Sequence, residues 1–84
     1  MNIEELRREI DRVDNELLSL FERRMEIAGQ IGQYKKQHAL PVKNAQRELQ
    51  LLNRLCEKTK PELAGYVREF FAALIEISCD YQSE

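Results

Sequence analysis

Two cations lie on one stripe of the first predicted helix of this sequence. Apolar residues recur along this segment at alternating spacings of three and four, and Arg24 occupies one position of that repeat. Lys35 follows 11 residues later, which at about 100° per residue brings it to within roughly 20° of the same direction. Between them on the stripe lie Ala28 and Ile31, which offer the cations no partner. The pattern therefore predicts a site that binds an anion.

The other two predicted helices also carry polar side chains next to their apolar faces. Asn44 and Arg47 belong to the start of the second helix, where Glu48 extends the apolar face upstream. Ser78 and Gln82 continue the apolar face of the third helix at helical spacing. If the three helices pack together, these groups meet in one pocket inside the bundle, which is where helical bundles place ligand sites.

Each of these polar residues also has an ordinary structural explanation. A single polar seam residue such as Arg24 often fixes the register or the oligomer number of packed helices. Glu48 could complement the dipole of its helix, and Lys35 could extend to solvent from a helix end. Ser78 and Gln82 could belong to a fraying terminus. Only their joint placement favours an anion site.

The elements that must position these groups are helices. A seam of nine apolar or aromatic residues and Arg24 predicts one long N-terminal helix. Pro41 marks a connection, Asn44 is a good N-cap, and Pro61 suits a first helical turn. We expect an all-α fold of three helices in a single domain over residues 1–84, with these elements: a helix over about 3–37, a loop over 38–44, a helix over about 45–58 and a helix over about 61–82.

The length of the first helix predicts the oligomeric state. From Ile3 to Tyr34 it is about 48 Å long, whereas a compact chain of this size has a radius of gyration of about 12 Å. The two later helices are together about as long as the first and cover only part of its seam. We therefore expect a two-fold homodimer, an intertwined homodimeric helical bundle in which the long helices are exchanged.

Length and composition exclude several classes of protein. Eighty-four residues form at most one domain. Thirteen basic and fifteen acidic residues give a net charge of -2, which argues against a nucleic-acid partner. No apolar run approaches the roughly 18 residues that a spanning helix needs, so we expect no association with membranes.

Cysteine, histidine and glycine usage narrows the chemistry further. Cys56 and Cys79 are too few for a disulfide framework, and no charged and then apolar leader precedes the first helix, so we expect a cytoplasmic protein with free thiols. His38 has no second imidazole to form a metal cluster or a histidine-based triad, so we expect no metal site. Gly29 and Gly32 would let another helix approach closely.

In order and spacing, these residues resemble the all-α class of chorismate mutases, which are small intertwined helical homodimers. The resemblance covers nearly the whole chain, from Leu6 to Gln82. It is carried by Leu6 and Arg7 with Ile10 and Asp14, then "ERRMEIAGQIGQYK", then "PVKNAQRE", then "IEISCDYQ". It implies the Claisen rearrangement of a small-molecule substrate, chorismate, to prephenate, the branch step toward phenylalanine and tyrosine. That reaction requires no cofactor or metal.

The resemblance assigns catalytic roles to the residues of the first and third helices. It makes Arg24 and Arg7 clamps for the substrate carboxylates, with Arg7 contributed by the other subunit. On spacing alone, Arg7 would be a surface partner of Asp11. Lys35 and Gln82 are matched to the ether oxygen of the substrate. Arg24, Lys35 and Gln82, together with Glu48, are thus the expected catalytic residues.

The remaining assignments lie around the start of the second helix. The resemblance matches Glu48 to the acceptor for the ring hydroxyl, Ser78 to a carboxylate contact, and Arg47 to a charged member of the same wall. Relatives often have Arg-Asp where this chain has Lys43 and Asn44. Asparagine caps a helix as well as aspartate does, so we expect an unchanged fold and a weaker or differently oriented contact from Asn44 to the hydroxyl.

Other functions remain compatible with the sequence. A relative of the same fold could eliminate pyruvate from isochorismate or rearrange an amino analogue of chorismate. A non-catalytic helical dimerisation module would need the seam, but it has no use for Arg24, Lys35, Glu48 and Gln82 together. The residues fit equally a chain that acts alone, one domain of a bifunctional protein and a subunit that docks on a partner enzyme.

Overall fold

The computed structural model describes residues 1–83 and contains α-helices and no strands in that range. The helices are α1 (Ile3–Gln37), α2 (Ala45–Lys58) and α3 (Ala64–Gln82), and a 3-10 turn, Pro61–Leu63, leads into α3. The all-α, three-helix prediction is confirmed. The first predicted turn of the third helix is 3-10 rather than α, a tightening that is frequent at helix N-termini. No helix of residues 1–83 combines the length and hydropathy needed to cross a membrane.

Asparagine side chains cap the first two helices. The Oδ1 atom of Asn2 accepts a hydrogen bond from the backbone N–H of Glu5 at 2.9 Å. The Oδ1 atom of Asn44 accepts one from the N–H of Arg47 at 3.0 Å, as the sequence predicted. Each bond satisfies one of the N–H groups that the first turn of a helix leaves without an intrahelical partner.

The C-terminus of α1 turns sharply into the loop that precedes α2. The N–H of Leu40 bonds the carbonyl of Lys35 at 2.8 Å, and the N–H of Ala39 bonds that of Lys36 at 3.4 Å. These are the two bonds of a Schellman motif. Ala39 has a φ of 53°, a left-handed conformation that usually belongs to glycine. The turn directs the loop back along α1 towards the site described below.

Helix α3 packs against both α1 and α2 and forms the small core of the chain. The buried residues are Ala28 and Gly32 on α1 and Ile75 and Ser78 on α3. The molecule is elongated, with a longest dimension of 54 Å and a radius of gyration of 15.8 Å. This radius exceeds the roughly 12 Å of a compact chain of this length, because α1 extends beyond the helices that pack on it.

The N-terminal part of α1 carries a row of exposed apolar side chains. Every residue from 1 to 23 is exposed. The apolar seam positions of this part have exposed fractions between 42% and 60%. We call them the N-terminal seam; its members are Ile3, Leu6, Ile10, Val13, Leu17 and Leu20. A contiguous apolar stripe of this length is typical of an interaction surface.

Candidate active site

A pocket of about 360 Å³ lies between the C-terminal part of α1, the start of α2 and the end of α3. Seven of the eight site residues predicted from the sequence line it: Arg24, Lys35, Asn44, Arg47, Glu48, Ser78 and Gln82. Apolar side chains make up much of the remaining wall: Ile27, Ala28, Ile31, Val42, Leu51 and Ile75. The pocket thus combines an apolar floor with cations and hydrogen-bonding groups, as small-molecule sites usually do.

Arg24 is fixed in the wall by α3. Its guanidinium donates a hydrogen bond to the Oγ atom of Ser78. Ser78 is only 5% exposed, and its hydroxyl in turn donates to the backbone carbonyl of Leu74 at 2.8 Å. Because the hydroxyl proton of Ser78 is donated to that carbonyl, the Oγ atom is oriented to accept the hydrogen bond from Arg24. Among residues 1–83 no carboxylate lies within salt-bridge distance of Arg24.

Lys35 joins three segments at the opposite end of the pocket. Its Nζ atom donates to the backbone carbonyl of Val42 at 2.6 Å and to the Oε1 atom of Gln82 at 3.4 Å. The first bond holds the 38–44 loop against α1, and the second connects α1 to the last turn of α3. Lys35 and Gln82 therefore place an ammonium and a side-chain amide next to each other, where two donors can meet one acceptor atom of a ligand.

The start of α2 supplies the carboxylate of the pocket. Glu48 is half-buried, with 22% of its side chain exposed, and both of its oxygens contact the Nζ atom of Lys43, at 3.2 and 3.3 Å. Lys43 is 73% exposed, so water screens this ion pair. The side-chain oxygen of Asn44 is engaged in capping α2 and accepts from the N–H of Arg47.

Sequence reasoning missed two contributors to this site. The sequence predicted no contact for Lys43, which lies five positions before Glu48 and binds that carboxylate. The carbonyl of Val42 carries no sequence signal, because every residue has a backbone carbonyl. Both contacts depend on the path of the loop after the left-handed Ala39.

Arg7 is the predicted site residue that the chain does not bring to its own pocket. It lies on the exposed N-terminal part of α1, 17 residues before Arg24, which is about 25 Å along the helix axis. Because α1 is one continuous helix from Ile3 to Gln37, Arg7 lies far from the pocket of its own chain. Within residues 1–83 no three His, Cys, Asp or Glu side chains lie close enough together to hold a metal ion.

Known proteins match the chain over most of its length. Residues 6–83 match the family described as chorismate mutase type II. The chain belongs to this family. It is 40% identical over 63 residues to the T-protein of Haemophilus influenzae, a match that covers 75% of this chain and 16% of that protein. It is 35% identical over 63 residues to the bifunctional chorismate mutase/prephenate dehydratase of Aquifex aeolicus, with 75% and 17% coverage.

These matches confirm the family resemblance and set its scope. The chain spans about a sixth of the length of the curated relatives that it matches. A solved structure, that of a conserved hypothetical protein from Pyrococcus furiosus, is 40% identical and aligns with a TM-score of 0.80. That alignment covers 95% of this chain and 93% of the other. The chorismate mutase type II fold therefore accounts for nearly the whole chain.

Proposed function

We propose that this chain catalyses the Claisen rearrangement of chorismate to prephenate, the branch step toward phenylalanine and tyrosine. The observation that carries the proposal is the pocket in which Arg24, Lys35, Glu48 and Gln82 meet. Chorismate carries two carboxylates, an ether oxygen and a ring hydroxyl. The pocket offers cations for the carboxylates, a pair of donors for the ether oxygen and an acceptor for the hydroxyl.

The first task of the site is to hold a flexible dianion in one shape. The rearrangement is unimolecular: the C–O bond to the enolpyruvyl side chain breaks while a C–C bond to the ring forms. It proceeds when the substrate adopts a compact, chair-like conformation in which the two carbons meet. Arg24 fixes a carboxylate through its planar fork, and Ser78 holds that fork in place. Positioning of this kind lowers the barrier because the entropy of alignment is lost on binding.

The second task is to stabilise charge that grows during the reaction. As the C–O bond breaks, negative charge develops on the ether oxygen. In the proposed complex the ammonium of Lys35 and the amide of Gln82 donate to that oxygen, and the structure already places the two side chains next to each other. Donors that are aligned in advance stabilise the transition state more than the ground state.

The remaining groups orient the ring. The carboxylate of Glu48 accepts from the ring hydroxyl, and Lys43 holds that carboxylate at the rim of the pocket. Arg47 adds positive charge to the same wall. Asn44 contributes mainly by starting α2 at the point that brings Glu48 inward, because its side-chain oxygen is engaged in the cap.

A second copy of the chain completes the proposed site. The N-terminal seam is exposed in the chain, and burying it against an identical helix would remove six large apolar side chains from water. In an antiparallel pair of α1 helices centred near Leu17, Arg7 of one helix lies at about the level of Ile27 of the other. That level falls between Arg24 and Lys35, so the partner's Arg7 would supply the second carboxylate clamp.

A cytoplasmic location is the remaining part of the proposal. Cys56 and Cys79 are both free thiols, and unpaired cysteines suit a reducing compartment. Fractionation of the source cells, with an antibody against the chain, would test this.

The activity is tested by adding chorismate to the purified protein and following its ultraviolet absorbance, with the product identified by mass spectrometry and NMR. We expect loss of chorismate with prephenate as the product, and no pyruvate when isochorismate is offered instead. An unchanged chorismate spectrum at micromolar enzyme would contradict the proposal and favour a dimerisation module. Release of pyruvate from isochorismate without turnover of chorismate would instead indicate a lyase of the same fold.

A further inference from the structure

Gly32 lies where the last turn of α3 crosses α1. It is buried, and a Cβ atom added to it would lie 3.1 Å from the Cα, the Cβ and the carbonyl oxygen of Gln82. Such distances are too short for ordinary packing, and two of the three atoms belong to the backbone, which cannot rotate away as a side-chain tip does. The absence of a side chain at position 32 therefore allows α3 to approach α1 this closely.

We propose that Gly32 is a positioning residue for catalysis, because it sets the distance at which Gln82 meets Lys35. This inference rests on the proposed role of Gln82 at the ether oxygen. Gly32 and Lys35 are three residues apart and so share one face of α1. The backbone of Gln82 packs against Gly32, and the Nζ atom of Lys35 donates a hydrogen bond to the Oε1 atom of Gln82 at 3.4 Å. That bond is already long for a hydrogen bond, so moving α3 away from α1 by a few tenths of an ångström lengthens it beyond ordinary hydrogen-bond distance.

The other two glycines of the chain provide matched controls. A Cβ at Gly29 would lie 3.3 Å from Cε2 and 4.0 Å from the hydroxyl of Tyr81. Tyr81 is 45% exposed, and its ring can rotate outward. A Cβ at Gly65 would meet nothing within 4 Å. None of the three glycines has a positive φ, so alanine fits the backbone conformation at each position and only the space around the Cβ differs.

The first experiment compares Gly32→Ala, Gly29→Ala and Gly65→Ala in the chorismate assay. We expect Gly32→Ala to lower kcat by about 10-fold or more with a much smaller change in KM, because a misplaced donor loses transition-state stabilisation. The two control variants should keep wild-type kcat, and Gly65→Ala should raise Tm because alanine favours helix. Wild-type kcat in Gly32→Ala would overturn the inference.

A double-mutant cycle separates positioning from general damage to the fold. If Gly32 acts through Gln82, Gly32→Ala should lower kcat in the wild-type background and should have little further effect in a Gln82→Ala background. Equal losses in both backgrounds would mean that the substitution disturbs the pocket as a whole, and the inference would be wrong.

A readout that does not depend on activity keeps this inference separate from the proposed function. In NMR spectra of the substrate-free protein, the side-chain amide signals of Gln82 should move in Gly32→Ala and stay in place in Gly65→Ala. Inactive wild-type protein would refute the proposed activity and with it the catalytic role of Gly32. Moved amide signals would in that case still show that Gly32 sets the position of Gln82. Unmoved amide signals in Gly32→Ala would refute the positioning itself.

Discussion

The two parts of α1 follow one hydrophobic repeat and have different surroundings. Residues 3–23 are all exposed, and every residue of the N-terminal seam has an exposed fraction of at least 42%. Residues 24–37 pack on α3 and supply Arg24 and Lys35 to a pocket. The change occurs at Arg24, the one polar residue in the repeat. The same helix therefore offers an apolar surface suited to a second chain and, beyond Arg24, a wall suited to an anion.

A charged residue in the seam destabilises the protein where the charge is buried without a partner, and it is tolerated where a partner is present. A cation in the N-terminal seam would leave a charge inside the proposed dimer contact, without a partner. At position 24, Ser78 accepts a hydrogen bond from the guanidinium, and the open pocket leaves room for an anion. Four substitutions test this difference between the two parts of α1.

Leu17→Glu tests the N-terminal seam. In a dimer it buries two carboxylates near the two-fold axis, whereas in a monomer it changes only an exposed side chain. We expect the dimer to dissociate and Tm to fall by more than about 10 °C, since two uncompensated buried charges cost several kcal/mol. Sedimentation and circular dichroism measure both effects. Asn15→Glu adds the same charge to the opposite face of α1 and should change neither; wild-type behaviour of Leu17→Glu would contradict the proposed dimer.

Arg24→Leu extends the apolar repeat into the pocket wall. We expect turnover of chorismate to fall by about 10³-fold or more, because a carboxylate clamp is lost. Tm should stay the same or rise, since leucine restores the seam and Ser78 still donates to the carbonyl of Leu74. Loss of the dimer instead would mean that Arg24 serves to fix helix register.

Lys35→Ala removes the proposed donor to the ether oxygen. We expect kcat to fall by about 10²–10³-fold with a smaller effect on KM. The adjacent Lys36 is exposed and does not line the pocket, so Lys36→Ala removes an equal charge from the same helix end and should retain full activity. Equal losses in the two variants would indicate a general effect of charge on substrate attraction rather than a contact.

Ala39→Gly probes the end of the C-terminal part of α1. The left-handed φ of 53° is strained for alanine and ordinary for glycine. We expect stability to rise by about 0.5–1 kcal/mol, with unchanged kcat. Thermal unfolding measures the effect, and Ala72→Gly, in the exposed middle of α3, should lower stability by a similar amount. A lower Tm in Ala39→Gly would contradict the strain.

The fold and most of the pocket were predictable because both follow from helical periodicity. The seam, the cap at Asn44 and Pro61 predicted where the helices lie, and the faces of those helices predicted that Arg24, Lys35 and Gln82 would meet. The roles of these residues at the substrate come from the family resemblance, because helical periodicity predicts which side chains meet and not which substrate atom each one contacts.

The contacts that the sequence did not predict are those that involve the backbone of another segment. The loop after Ala39 brings the backbone carbonyl of Val42 to Lys35. Because every residue has a backbone carbonyl, the residue type at position 42 does not predict this contact. Gly32 was predicted only as a place where another helix comes close. The particular neighbour, the backbone of Gln82, follows from the crossing of α3 over α1.

The most direct test of the account asks whether the N-terminal part of one chain completes the pocket of another. Arg7→Ala and Lys35→Ala, each inactive alone, are mixed, unfolded together and refolded, and chorismate turnover is measured. Half of the dimers are then hybrids, and one of their two sites has both residues intact, so about a quarter of wild-type activity should return. Absence of any recovery, with hybrid dimers shown to be present, would contradict a site shared between two chains.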